Sequence, residues 1–174
     1  NRLKTINQNK APGPFDPPLK IIKSAADLLG PVLCNIINHS FSNQEFPNLW
    51  KIFDICPIPK IVPVPSVEAL RPIALTSIFS KIRESFAVEW MMEDISPVIS
   101  PAQYGGLPGL STTHALLNLL HNWYKALEKP KTVIRVLFLD FSKAFDLINH
   151  NKLLQDMKTM GVREALLPWI ASYL

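Results

Sequence analysis

The sequence lacks the features that mark several large classes of protein. Its 174 residues contain two cysteines and four histidines, without the spacing of a zinc site. No apolar run approaches the ~20 residues that cross a bilayer, and the polar first residues are not a signal peptide. These absences argue against a disulfide-stapled domain, a zinc protein and a membrane protein. They favour an intracellular location, in the cytoplasm or the nucleus.

Charge is also scarce. Charged residues make up 18% of the chain and apolar residues 48%, which suggests a surface that is partly meant to be covered. The first residue is not methionine, so we expect a piece of a longer protein. The net charge of +4 is compatible with a nucleic-acid partner without identifying one.

One stretch of the chain carries the main chemical signal. Residues 133–139 are apolar, with several β-branched members, and only Arg135 interrupts them. This composition predicts a strand buried on both faces of a sheet. The run ends at Asp140, and a helix-forming stretch follows. We therefore expect Asp140 at the carboxyl end of a core strand, where ligands bind in open α/β sheets and where a buried acid needs a cation or metal partner.

Two other interpretations of this stretch remain open at this point. Ser142 or Asp146 is a suitable helix cap, and a cap needs no catalytic role. A phosphotransferase of the haloacid dehalogenase type also places an aspartate nucleophile after an apolar strand. Such enzymes need a second acid two residues later, and Ser142 at that position counts against this class.

Elsewhere the periodicity predicts mainly helices. Leucines, isoleucines and alanines at helical spacing over 18–42 predict two helices, separated at Gly30–Pro31. Lys51–Pro57 reads as a strand at a sheet edge. Later signals predict a helix after a Ser77 cap, a core helix after Ser111–Thr113, a helix stop at Gly161 and a last amphipathic helix.

The string FLDFSKAFD over residues 138–146, with the Asn-His pair at 149–150, resembles the first catalytic motif of reverse transcriptases from non-LTR (LINE-type) retrotransposons. Three earlier strings match that family in order. Lys-Ala-Pro-Gly-Pro at 10–14 precedes an aspartate, with Phe15 inserted; Ile-Pro-Lys at 58–60 precedes Arg-Pro-Ile-Ala-Leu at 71–75; and a glycine-rich turn begins at Gln103.

The resemblance implies an α+β fold: the fingers and a partial palm of a right-hand polymerase, helix-rich with a small, mostly antiparallel sheet. Residues 1–130 would be the fingers region with part of the palm helices, and residues 131–174 the start of the palm. The substrates implied are an RNA template, a DNA primer and deoxynucleoside triphosphates, and no membrane partner is expected.

The resemblance also implies roles for single residues. Asp140 would be the catalytic residue and the ligand of two Mg²⁺ ions. The nucleotide-binding residues would be Lys60 and Arg71 at the triphosphate, Phe141 through its backbone carbonyl, and Phe145 under the sugar, where it excludes a 2′-hydroxyl. The template-binding residues would be Gln103, Gly105 and Gly109.

The sequence departs from the family at several points: Phe15 is inserted before Asp16, and Gly106 stands where an aromatic residue is expected. Leu107 and Leu110 stand where arginines are expected, which should weaken the grip on a template. No Asp-Asp pair occurs, so the second catalytic motif is missing and Asp140 alone leaves a two-metal site short of carboxylates. Whether this chain is itself an enzyme stays open: it is either a piece of an RNA-directed DNA polymerase or a non-catalytic remnant that at most binds nucleic acid.

Overall fold

The computed structural model describes residues 2–141 and 144–174. The described part is helix-rich, with one small antiparallel sheet of two strands, so the predicted α+β class is confirmed. None of the described helices combines the length and apolar character that a bilayer span requires. The helices are α1 (Leu19–Ser24), α2 (Ala26–Ser42), α3 (Ile78–Ile95), α4 (Thr112–Leu127), α5 (His150–Thr159) and α6 (Leu167–Tyr173), and the strands are β1 (Phe53–Pro59) and β2 (Leu70–Thr76).

The chain divides into two compact units. The first unit contains the chain up to Asp94 together with His150–Leu174, and the second unit is Ile95–Asn149. The core of the first unit forms where the apolar faces of α1, α2 and α3 meet the N-terminal turn Arg2–Thr5. Its buried members are Leu3, Ile6, Leu19, Ile22, Ala26, Leu33, Ile37 and Ile82.

The predicted helix break at Gly30–Pro31 is wrong. Helix α2 continues through Pro31, and the chain instead breaks between α1 and α2, at Ala25. The Ser24 hydroxyl donates a hydrogen bond to the carbonyl oxygen of Ile21 (2.9 Å), so a local side-chain bond competes with the helix there. Proline costs a helix one hydrogen bond, but burial of the α2 face around Pro31 outweighs that loss.

A buried arginine joins α3 to its neighbours. Arg83 is fully buried, and its guanidinium carbon lies 3.5 Å from the ring centre of Phe46, 4.6 Å from that of Trp50 and 5.2 Å from that of Trp169. Arg83 Nη1 donates to Ser40 Oγ (2.7 Å), which also accepts the indole N–H of Trp169 (3.1 Å). Burial lowers the pKa of Arg83 to about 10, so the side chain stays charged at neutral pH.

A second arginine holds the segment after α5. Gly161 has a φ of +91°, which ends the helix as predicted. Arg163 then donates from its backbone N–H and its side chain to Asp94 at the end of α3, and from Nη2 to Glu93 (3.2 Å). These bonds from Arg163 lower the pKa of Asp94. The stabilisation they give is therefore present above the unfolded-state pKa of Asp94 and is lost as the pH falls through its folded-state value.

Helix α4 in the second unit begins as predicted, with Ser111 at its N-cap position. The prediction that it is a core helix is wrong, because none of its side chains is buried and Leu116 is 53% exposed. A helical stripe shows that one face is apolar, but it does not supply the surface that would cover that face.

Candidate nucleotide-binding hairpin and catalytic aspartate

Strands β1 and β2 form an exposed hairpin that carries the two predicted phosphate-binding cations. The predicted strand over Lys51–Pro57 is observed two residues later, as Phe53–Pro59, and its partner Leu70–Thr76 was not predicted as a strand. Pro72 lies within the partner, and proline normally counts against a strand. Both strands are edges of a two-stranded sheet, so no third strand needs the N–H groups that the prolines lack.

The register of the hairpin places Lys60 and Arg71 at the same end of the hairpin. Arg71 pairs with Ile58, and Lys60 is the first residue after β1, where the chain bends, two residues beyond Ile58. The backbone N–H of Lys60 donates to the carbonyl oxygen of Ala69 (2.8 Å), so the ladder reaches Lys60. Residues in this diagonal relation lie ~7–8 Å apart, which is within reach of neighbouring phosphate groups for long side chains.

The surroundings of these cations differ. Lys60 Nζ donates to the carbonyl oxygen of Glu68 (2.9 Å), whereas the Arg71 guanidinium has no ion pair or hydrogen bond within the described part of the chain. The Ser66 hydroxyl and the backbone N–H of Glu68 itself lower the pKa of the Glu68 carboxyl, which therefore stays ionised beside the hairpin. Arg71 is thus the cation that is free to bind an anion.

The Pro-rich segment before α1 fixes the point where β2 leads into α3. Ser77 Oγ donates to Asp16 Oδ1 (2.7 Å), and the backbone N–H groups of Ile78 (2.7 Å) and Gly13 (3.0 Å) donate to Asp16 Oδ2. A Cβ at Gly13 would lie 2.7 Å from the backbone nitrogen of Ser77, so only glycine fits. The sequence reasoning missed these roles, because the partners of Asp16 are distant along the chain.

We expect Asp16→Ala to lower the free energy of unfolding of the first unit by about 2 kcal/mol, because it removes a helix cap and leaves buried donors unpaired. Urea denaturation followed by circular dichroism measures this change. Asp54→Ala removes an exposed aspartate of β1 and is the matched control, with an expected change below ~0.5 kcal/mol. Equal effects of the two substitutions would show that Asp16 does not fix the junction.

Asp140 lies in the second unit, and its predicted setting is not observed. Residues 132–141 form no strand, and Leu137, Phe138 and Leu139 are each about 80% exposed. The prediction of a strand buried on both faces, with Asp140 at its carboxyl end, is therefore wrong for this structure. A strand needs a hydrogen-bonded neighbour, and no described strand pairs with this segment, because β1 and β2 pair only with each other.

The residues that follow Asp140 are exposed as well. Phe141 is 82% and Phe145 92% exposed, so neither is packed in the structure. The helix predicted directly after Asp140 begins only at His150, and residues 144–147 before it form turns. Ser142, the candidate cap, lies outside the described residues.

In the turn that carries the predicted template contacts, polar groups form hydrogen bonds with one another. Gln103 Nε2 donates to the carbonyl oxygen of Gly105 (2.7 Å), which closes the turn. Gly109 has a φ of +77°, a left-handed conformation that favours glycine. Ser111 Oγ lies 2.9 Å from His114 Nδ1 at the start of α4. Gln103, Gly105 and Gly109 thus belong to one ordered turn, and their contact with a template stays a prediction.

The predicted site residues fall into two sets. Lys60 and Arg71 belong to the first unit, and Asp140 belongs to the second with the aromatic and template-binding residues. Across the described ranges, no three histidine, cysteine, aspartate or glutamate side chains group as metal ligands. Asp140 offers one carboxylate, so the described residues alone do not fit a magnesium site.

Comparison with known proteins agrees with the motifs. Residues 58–174, which include Lys60, Arg71 and Asp140, match the family model described as "Reverse transcriptase (RNA-dependent DNA polymerase)". The chain is also 28% identical over 164 residues to "Probable RNA-directed DNA polymerase from transposon BS" of Drosophila melanogaster; the match covers 91% of this chain and 18% of that protein. The chain thus spans about a fifth of the length of that relative. It belongs to the reverse transcriptase (RNA-dependent DNA polymerase) family, whose members in general depend on divalent metals and act on nucleic acids and nucleotides.

Proposed function

We propose that the chain is the fingers and the first part of the palm of a LINE-type RNA-directed DNA polymerase, and that the β1–β2 hairpin binds the triphosphate of the incoming deoxynucleotide. In this proposal residues 1–130 contribute the fingers with part of the palm helices, and residues 131–174 begin the palm. The complete polymerase extends a DNA primer on an RNA template by two-metal nucleotidyl transfer.

The observation that carries the proposal is the position of Lys60 and Arg71 at the same end of an exposed hairpin. A triphosphate needs both a point charge and a planar fork of donors, and lysine and arginine supply these respectively. Lys60 exchanges its bond to the Glu68 carbonyl for a phosphate oxygen, which is a stronger acceptor because it is charged.

Asp140 is the proposed catalytic carboxylate. Its side chain is exposed and thus accessible to substrate and ions. Asp140 would contribute one carboxylate ligand to magnesium, and magnesium held there would supply positive charge next to the primer hydroxyl and the leaving group. The remaining ligands have to come from residues beyond those described, so Asp140 is proposed as one member of a larger set.

The test is the binding of a fluorescent deoxynucleotide, mant-dATP, to the 174-residue chain. Arg71→Ala should weaken binding about tenfold or more, since it removes charged hydrogen bonds worth ~1.5–3 kcal/mol. Arg71→Lys should restore only part of the affinity, because lysine lacks the planar fork. Lys51→Ala removes an equal charge just before β1 and is the control. Equal losses of mant-dATP affinity in Lys51→Ala and Arg71→Ala would contradict the assignment of the hairpin to the nucleotide site.

The alternative is a non-catalytic remnant that at most binds nucleic acid. The observation in its favour is the turn at Gln103, where the exposed residues include Leu110 in place of an expected arginine. Such a remnant would bind RNA with an affinity that falls as salt rises, and Arg71→Ala would not change its interaction with mant-dATP.

A further inference from the structure

A cavity in the first unit, separate from the hairpin end that carries Lys60 and Arg71, is lined by cations and has no assigned role. Its volume is about 340 Å³, and it lies between the N-terminal turn, α1 and the start of α3. Its floor is apolar and its rim carries two lysines with several neutral polar side chains. The lining residues are Thr5, Ile6, Asn7, Lys10, Ala11, Leu19, Thr76, Ile78 and Lys81.

The polar groups of this cavity are mainly free hydrogen-bond donors. Lys10 and Lys81 are exposed, and neither has an ion pair within the described residues. The side-chain oxygen of Asn7 accepts the backbone N–H of Asn9 (3.0 Å), which leaves its amide NH₂ group to donate outward. No carboxylate lines the cavity. A set of donors and positive charges without an acid is complementary to an anion.

The charge of the surrounding segment supports the same ligand. Residues 1–25 contain five lysines and arginines and one acid, a net charge of +4 that equals the net charge of the whole chain. The one acid, Asp16, is engaged by the start of α3. Lys23 Nζ donates to the carbonyl oxygen of Ile6 (3.2 Å), which adds a further cation beside the cavity. Arg2 and Lys4 of this segment are ion-paired with Glu89 and Asp27, so Lys10 and Lys81, with Lys23 beside them, are the cations available at this cavity.

We propose that Lys10 and Lys81, with Asn7, bind phosphodiester groups of a nucleic-acid strand in this cavity. The inference rests on the proposed function, because a polymerase binds the nucleic-acid strand that is named here. It adds a contact to the phosphates of that strand, outside the nucleotide site. A nucleic-acid strand and a free nucleotide both carry phosphate groups that such a cavity could bind. The strand is favoured because each phosphodiester carries one charge, so two lysines match two phosphates, and because the cavity lining offers lysines without the planar arginine fork that a triphosphate site uses.

The test is fluorescence anisotropy of a labelled single-stranded RNA 20-mer with the 174-residue chain, over a series of salt concentrations. Lys10→Ala/Lys81→Ala should lower the affinity roughly 10- to 30-fold at 0.1 M salt and reduce the slope of log K against log salt by about 1.4, the value for two phosphate contacts on a single strand. The double variant Lys10→Arg/Lys81→Arg should keep the affinity and the salt slope close to the wild-type values.

The matched control is Lys20→Ala/Lys51→Ala, which removes the same charge from exposed positions of the same unit outside the cavity. It should change the affinity less than ~3-fold. Equal losses for the two double variants would overturn the inference, since only net charge would then matter. No RNA binding by the wild-type chain would overturn it as well. Circular dichroism checks that each variant is folded.

A second arm separates the two sources of phosphate and the two proposals. A cavity that holds nucleotides would show weaker mant-dATP binding, but unchanged RNA binding, in Lys10→Ala/Lys81→Ala, and that result would overturn the inference. If Lys10→Ala/Lys81→Ala weakens RNA binding but Arg71→Ala leaves mant-dATP binding unchanged, the inference is supported and the hairpin proposal is contradicted. The reverse pattern would support the hairpin and contradict the cavity.

Discussion

Asp140→Asn is expected to abolish DNA synthesis, by at least ~10³-fold, in a longer polypeptide that also carries the second catalytic motif with its Asp-Asp pair. Asparagine keeps the size of the side chain but removes the charge that a divalent cation requires of its ligand. A loss of this size corresponds to about 4 kcal/mol of transition-state stabilisation. Extension of a DNA primer on an RNA template with magnesium measures it.

The control for this prediction is Phe145→Ala. Phe145 lies a few residues after Asp140 and carries no charge, so its removal should leave synthesis largely intact while admitting ribonucleotides. The 174-residue chain alone should make no DNA, because its described residues group no set of metal ligands. Near-normal synthesis by Asp140→Asn would show that the catalytic assignment is wrong.

Arg83→Ala is expected to lower the free energy of unfolding of the first unit by roughly 3–5 kcal/mol. The substitution empties the space between Phe46, Trp50 and Trp169 and removes the hydrogen bond to Ser40. Because folded domains are stable by only ~5–15 kcal/mol, this loss is a large fraction of the total. Urea denaturation followed by tryptophan fluorescence measures it.

Two further variants separate packing from charge at this position. Arg83→Met fills most of the space and avoids the cost of burying a charge, so it should destabilise much less than Arg83→Ala. Arg83→Lys keeps the charge but stacks less well on aromatic rings, so its effect should lie nearer to that of Arg83→Ala. Val88→Ala, at an exposed position of the same helix, is the control. Wild-type stability of Arg83→Ala would contradict the packing role.

Local signals in the sequence predicted the parts of the fold that depend on local interactions. Helix α3 starts after Ser77, whose hydroxyl accepts the backbone N–H of Phe79 (3.2 Å), and the glycine stop at Gly161 is observed. The family strings also pointed to Lys60 and Arg71, which lie at the same end of the hairpin, and their binding of a nucleotide stays a prediction. Helix caps and glycine stops are encoded by residues close in sequence.

Interactions between distant segments were not predictable in this way. Arginine is almost never fully buried, so nothing in the sequence around Arg83 indicated the cage formed by aromatic rings from other segments. The apolar run before Asp140 indicated a strand, but a pattern of side chains cannot show whether a partner strand is present. Asp16 likewise depends on Ser77, far along the chain.

The most direct test of the central claim is photo-crosslinking with a deoxynucleotide that carries an azidoaryl group on its γ-phosphate, followed by peptide mapping. We predict that the label attaches to the hairpin, in peptides that contain Lys60 or Arg71, and that Arg71→Ala removes most of it. The longer polypeptide with RNA template and primer is the sample, so that the bound nucleotide is the one that reacts. Labelling confined to other peptides, unchanged by Arg71→Ala, would contradict the assignment of the hairpin to the nucleotide site.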